Sequence, residues 1–113
     1  LHTPLVESAQ ALIDQRRLEE MKPGIYIVNT ARGGLINETA LLEALESGKV
    51  SGAALDVYSD EPPGNSALVA HHRVIATPHI AAQTQEAQER TAVDIAQEVL
   101  AALHGDKLRW PVV

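Results

Sequence analysis

Ile25-Tyr26-Ile27-Val28 runs directly into Asn29-Thr30-Ala31-Arg32-Gly33-Gly34, four β-prone, nearly continuously apolar residues followed by a turn with two glycines. A short apolar run of this kind is what a parallel strand covered on both faces presents, and Gly33-Gly34 ends it and turns the chain. Working outward, Pro23-Gly24 stops a short helix over 15–21 that Asp14 can cap, because its carboxylate accepts from first-turn amides. Ahead of that helix, a polar helical turn follows Leu1-His2-Thr3-Pro4. On the other side, Asn37 caps a helix over 38–47 whose Leu41, Leu42 and Leu45 form one apolar stripe, with Gly48 just past its end. A second strand is expected over 50–57, where Gly52-Ala53-Ala54 lacks bulk as though a helix or ligand approached the backbone. A loop over 58–72 and a short strand over 73–77 follow. Thr84 then opens a long helix in which Ala92, Ile95, Ala96, Val99, Leu100 and Leu103 recur at three- and four-residue spacing until Gly105. Strands alternating with helices at these lengths imply an α/β fold, with right-handed crossovers and a parallel sheet of three or four strands flanked by helices. The division expected is a domain over 1–105 and an extended tail over 106–113.

A length of 113 residues suits one domain and is too small for a cofactor domain plus a separate substrate domain. Apolar residues make up 45%, yet there is no Phe, one Trp and two Tyr, so Leu, Val, Ile and Ala must build the core. The net charge of −6 and the lack of any Lys/Arg cluster argue against nucleic acid or an anionic membrane surface as partner. No stretch reaches the roughly 18 apolar residues of a membrane span, and Leu1-His2-Thr3-Pro4 lacks the features of a signal peptide. The chain has no Cys, which excludes a disulfide framework and thiolate metal sites and makes the cytoplasm the expected compartment. It begins without Met on what reads as the end of a strand, so a fragment lacking its amino-terminal part is expected.

Ligands in open α/β sheets bind outside the carboxyl ends of the strands, and Arg32, Asp56, Glu61 and His79 all fall just past such ends. Arg32 has a planar fork that can grip a carboxylate bidentately; the competing reading is a surface arginine beside a Gly-Gly turn. His79 follows Pro78, which restricts the residue before it, and histidine is the natural general acid/base near neutral pH. The other four histidines lie at edges, in a polar loop or at a helix end, where solvated or capping roles suffice. Glu61, in Asp60-Glu61-Pro62-Pro63, is a solvated loop acid by itself; bonded to one nitrogen of His79 it would fix the tautomer and favour the charged ring. Asp56 could accept from a cofactor amide or simply end its strand. No histidine pair has metal-ligand spacing, so no metal is expected.

Taken in order, these residues resemble the NAD-binding domain of the D-isomer-specific 2-hydroxyacid dehydrogenases. The resemblance spans essentially residues 1 to 105. It is carried by Leu1-His2-Thr3-Pro4, Met21-Lys22-Pro23-Gly24, Val28-Asn29-Thr30-Ala31-Arg32-Gly33-Gly34, Gly52-Ala53-Ala54-Leu55-Asp56-Val57, Glu61-Pro62, Thr77-Pro78-His79-Ile80 and Glu86-Ala87-Gln88-Glu89-Arg90. It implies the carboxy-terminal half of a Rossmann-type dinucleotide-binding domain, NAD as cofactor and hydride transfer to or from a small D-2-hydroxy acid resembling 3-phosphoglycerate. By the same resemblance Arg32, Glu61 and His79 are the catalytic residues: Arg32 binds the substrate carboxylate and 2-oxo group, His79 moves the hydroxyl proton and Glu61 orients His79. Thr3, Pro4, Thr30, Ala31, Arg32, Asp56, His79, Ala81 and Ala82 lie on the cofactor side, and the parent protein is expected to be a homodimer. Two departures stand beside the expected carboxamide pocket: Ala81 where the family usually has glycine and Gln83 where serine is common.

No Gly-x-Gly-x-x-Gly phosphate-binding fingerprint occurs in the 113 residues, so the chain alone is expected to be inactive and to bind NAD weakly or not at all. Two other classes fit the same residues, an NAD(H)-sensing corepressor-like binding protein and a non-catalytic flavodoxin-like module.

Overall fold

A computed structural model describes residues 1–5 and 10–111. Most of the polar turn expected after Pro4, and the last two residues of the tail, lie outside that range. The chain divides into two compact units, Leu1–Ile80 and Ala81–Val113.

The first unit carries a three-stranded parallel sheet in the order β1-β2-β3, with β1 at Ile25–Asn29, β2 at Val50–Leu55 and β3 at Val74–Ala76. Helix α1 spans Gln15–Glu20 and α2 spans Glu38–Glu46. Both caps are those legible in the sequence: Asp14 accepts from the Arg17 amide and Asn37 from the Ala40 amide. Gly48, at φ +77°, follows the end of α2 in the left-handed conformation that costs glycine nothing. The segments ahead of the two helices are bound together, since the Ile13 amide donates to the Leu35 carbonyl and the Asn37 amide to the Ile13 carbonyl, both at 2.9 Å.

Helix α2 packs on β2 and α1 packs on α2, which buries Leu18, Ile27, Ile36, Leu41, Leu45, Val50, Ala53 and Leu55 in one core. Leu41, Leu45 and Val50 are fully buried, as the aliphatic composition requires. Parallel partners share a face, so Ile27 and Ala53 point into this core while the row Val28, Ala54, Ile75 points the other way. The expectation that β1 is covered on both faces is therefore corrected. Tyr26 and Val28 are 77% and 54% exposed, so within this unit the helices cover only one side of the sheet.

The lack of bulk in β2 has two settings. At Ala53 helix α2 packs on the strand, as expected of a helix approaching it, whereas a Cβ on Gly52 would lie 3.1 Å from the Tyr26 ring and 3.2 Å from the Arg73 carbonyl oxygen, so there the residues on either side of the strand crowd it.

In the second unit, α3 spans Gln85–His104, capped by the Thr84 hydroxyl and closed by Gly105 at φ +74°. The helix forms as its spacing predicts, but its apolar stripe is exposed within its own unit, with Ile95 at 59% and Leu103 at 76%. After Gly105 the backbone carries no helix or strand through Pro111 and bends at Arg109-Trp110, where Arg109 pairs with Glu98 of α3 at 3.2 Å.

Candidate active site

The turn after β1 is shaped by a residue that reasoning from side-chain chemistry passed over. Asn29 is 1% exposed; its Oδ1 accepts the Ala31 amide at 3.1 Å and its Nδ2 donates to the Arg32 carbonyl at 2.9 Å. An Asn side chain bonding to the backbone two residues on makes a turn of its own, and here it presents Arg32 in an extended conformation ahead of a 3₁₀ turn at Gly33–Leu35. Asparagine at a strand end followed by glycines was the available signal. Arg32 is exposed, and its Nη1 donates to the Ala31 carbonyl at 2.7 Å. A cleft of about 260 Å³ brings it together with His2, Thr3, Pro4, Thr30 and Ala31. Five residues expected on the cofactor side, from the chain start and from the end of β1, thus line one cavity.

Glu61 and His79 do not line that cleft; they meet past the ends of β2 and β3. The His79 Nδ1 lies 2.8 Å from the Glu61 Oε2, and both side chains remain partly open to solvent. Glu61 Oε1 accepts the Tyr58 amide at 3.0 Å, so the acid is held from both sides. Its carboxyl is held below the ordinary carboxylate value, first by the hydrogen bond from His79 and then by that from the Tyr58 amide. With Nδ1–H donating to Glu61, the neutral ring carries its lone pair on Nε2. His79 has φ +54°, an uncommon conformation for a residue with a β-carbon.

Tyr58 is the second residue missed. Its hydroxyl bridges the Leu55 carbonyl at 2.9 Å and the Thr77 carbonyl at 3.0 Å, joining the ends of β2 and β3. Burial pushes the phenol above its ordinary value, so it stays a protonated donor. The Arg32 turn reaches the same place. A Cβ on Gly33 would lie 1.9 Å from the Tyr58 carbonyl carbon, so only glycine lets the two turns touch. Asp56 is 3% exposed, and its Oδ1 accepts the Thr77 hydroxyl at 2.5 Å and the Ile80 amide at 2.9 Å. Ala81 and Ala82 are exposed at the start of the second unit. Among the described residues no cluster of His, Cys, Asp or Glu has the arrangement of a metal site, and no helix is long and apolar enough to cross a membrane.

Residues 1–81 match the family model for the D-isomer specific 2-hydroxyacid dehydrogenase, NAD binding domain. The D-3-phosphoglycerate dehydrogenase of Bacillus subtilis (strain 168) is 50% identical over 100 residues, which cover 88% of this chain and 19% of that protein. Among solved structures, a glyoxylate reductase from Paecilomyes thermophila superposes with TM-score 0.87 at 40% identity, covering 96% of this chain and 33% of its own. A D-lactate dehydrogenase from Aquifex aeolicus, complexed with NAD and lactic acid, superposes with TM-score 0.82 at 34% identity over 94% of this chain and 37% of its own. The chain spans about a fifth of the length of the curated relatives it matches.

Proposed function

The chain belongs to the D-isomer-specific 2-hydroxyacid dehydrogenases, through their NAD-binding domain, and on that premise we propose that it forms the proton-transfer and carboxylate-binding wall of an NAD-dependent enzyme oxidising a D-2-hydroxy acid. The observation that carries this reading is the 2.8 Å pair of His79 and Glu61, placed past the strand ends that also present Arg32. The cleft fits one edge of a nicotinamide nucleotide in its chemistry. Thr3 and Thr30 offer hydroxyls to ribose or carboxamide groups, and Pro4 and Ala31 give a small apolar wall against which a flat ring can lie. Those four residues would hold the cofactor, which when bound supplies the acceptor for the hydride on carbon 2.

The chain's own residues do the rest. Arg32 binds the substrate carboxylate with its forked guanidinium and polarises the 2-oxo oxygen as it forms. His79 takes the 2-hydroxyl proton on Nε2 as the hydride leaves carbon 2, so the hydroxy acid becomes the oxo acid and the ring becomes cationic. Glu61 fixes the tautomer through Nδ1 and offsets the charge the ring acquires. The finer form of the reading is a cytoplasmic homodimer acting on a 3-phosphoglycerate-like acid. The D-3-phosphoglycerate dehydrogenases among the relatives support the substrate, and the absence of cysteine supports the compartment.

Steady-state assays of the intact protein with NAD and a panel of D-2-hydroxy acids test the activity. Arg32→Lys keeps the charge and loses the fork. It should lower kcat/KM for the acid by about 10- to 100-fold, the worth of a charge-assisted hydrogen bond, with NAD affinity unchanged. Full activity with lysine would remove Arg32 from the role of anchor.

A further inference from the structure

The bend that aims His79 has to be held from outside. At φ +54° a residue with a β-carbon occupies a sparsely populated conformation, and such conformations persist only where the surroundings over-determine them. Pro78 restricts Thr77 before it but cannot impose a positive φ on His79 after it. What the structure supplies is a buried acid at the end of β2. Asp56 Oδ1 accepts the Thr77 hydroxyl, two residues before His79, and the Ile80 amide, the residue after it. One oxygen thus ties down both ends of the Thr77-Pro78-His79-Ile80 bend. Backbone contacts complete the frame: the Thr77 amide donates to the Leu55 carbonyl at 2.9 Å, and the Tyr58 hydroxyl reaches the Thr77 carbonyl.

We infer that Asp56 is a positioning residue for proton transfer, its carboxylate clamping the bend on either side of Pro78-His79 so that the His79 ring meets Glu61. This goes beyond the cofactor-side place expected for Asp56 and rests on the reading of His79 and Glu61 as the proton-transfer pair. Its Oδ1 is occupied by the chain's own donors, in a residue 3% exposed. Loss of either bond frees the bend to relax to negative φ, which swings the ring away from the carboxylate. The position of a group that must transfer a proton is then lost although every catalytic side chain is still present.

The test reads the His79–Glu61 hydrogen bond by NMR in the 113-residue chain, so it does not depend on turnover. The readouts are the downfield Nδ1 proton of His79 and the titration of the Glu61 carboxyl carbon. Thr77→Val removes one hydroxyl at nearly constant shape, and Asp56→Ala removes the acceptor. Each should abolish or broaden the Nδ1 signal and return the Glu61 titration toward the ordinary carboxylate value. Thr77→Ser and Asp56→Asn, which keep the hydroxyl and an acceptor oxygen, should retain both signatures. If Asp56→Ala does not fold, Thr77→Val against Thr77→Ser decides the matter. Unchanged signatures in Thr77→Val overturn the inference, as do unchanged signatures in a folded Asp56→Ala. In the intact enzyme Thr77→Val should lower kcat by about 10- to 100-fold with KM for NAD unchanged, the scale expected for a misplaced reacting group. If the intact protein oxidises no hydroxy acid, the functional reading fails while the resonance test still decides the positioning role.

Discussion

Glu61 makes two hydrogen bonds, one from the His79 ring and one from the Tyr58 amide, and both favour its ionised form. Its folded-state value is therefore depressed below the ordinary 4.5 of an unfolded glutamate. The sign of the linkage follows: the stabilisation is complete above that ordinary value and is lost as pH falls through the lowered one, where the folded carboxylate takes its proton. Glu61→Gln should remove this increment. Denaturant midpoints measured between about pH 3 and pH 6 should show the variant less stable than the parent at the upper end, with the gap closing toward the lower. A gap that is constant across the range would mean that the charge of Glu61 is not what binds the turn to His79. The residue scale is also where the sequence was most legible, because Arg32, Glu61 and His79 announce themselves by chemical type at strand ends. Asn29 and Tyr58 do not. Their work is done through bonds to backbone atoms, and the carbonyl of Thr77, nineteen residues from Tyr58, can be paired with it only once β2 and β3 are side by side.

At the scale of elements, the candidate site lies where three turns meet, one from each strand. The closest approach is between the Arg32 turn and the Tyr58 turn, where Gly33 stands against backbone atoms that cannot move aside as a flexible side chain would. Gly33→Ala should force those turns apart. The expected cost is about 1–3 kcal/mol, as for overpacking elsewhere, together with a loss of activity larger than the loss of stability, because Arg32 is displaced from the Glu61–His79 side. Thermal melts read the first and kcat/KM the second, and an alanine variant with parental values of both would show that the turns have slack. The glycine pair was visible in the sequence as the end of a strand, but its physical reason was not. A turn signal is local, whereas the atoms Gly33 must avoid belong to a residue 25 positions away. Caps behave oppositely. Asp14, Asn37 and Thr84 were each readable in advance because a cap acts on amides two or three residues away.

For the first unit taken as a molecule, the core lies entirely on the helix side of the sheet. Leu41 and Leu45 of α2 are 0% exposed, and Leu41→Ala or Leu45→Ala should each cost about 2–5 kcal/mol in chemical denaturation of the 113-residue chain. Ile75, 70% exposed on the opposite face, should tolerate Thr with a change within about 0.5 kcal/mol. Equal costs at the two faces would mean that the Ile75 side is covered in solution. Periodicity and neighbours a few positions away suffice to give the order of helices and strands, the parallel connection, the helix caps and the residue types available for catalysis, so these are legible without the fold. The folded chain was needed to show that the helices of the first unit cover one sheet face, that Tyr26 lies over Gly52, and that Asp56 accepts from both Thr77 and Ile80 around His79. Each of those depends on which residues from distant segments share a face or a register, and a strand's apolar run is the same whether one side of it is covered or two.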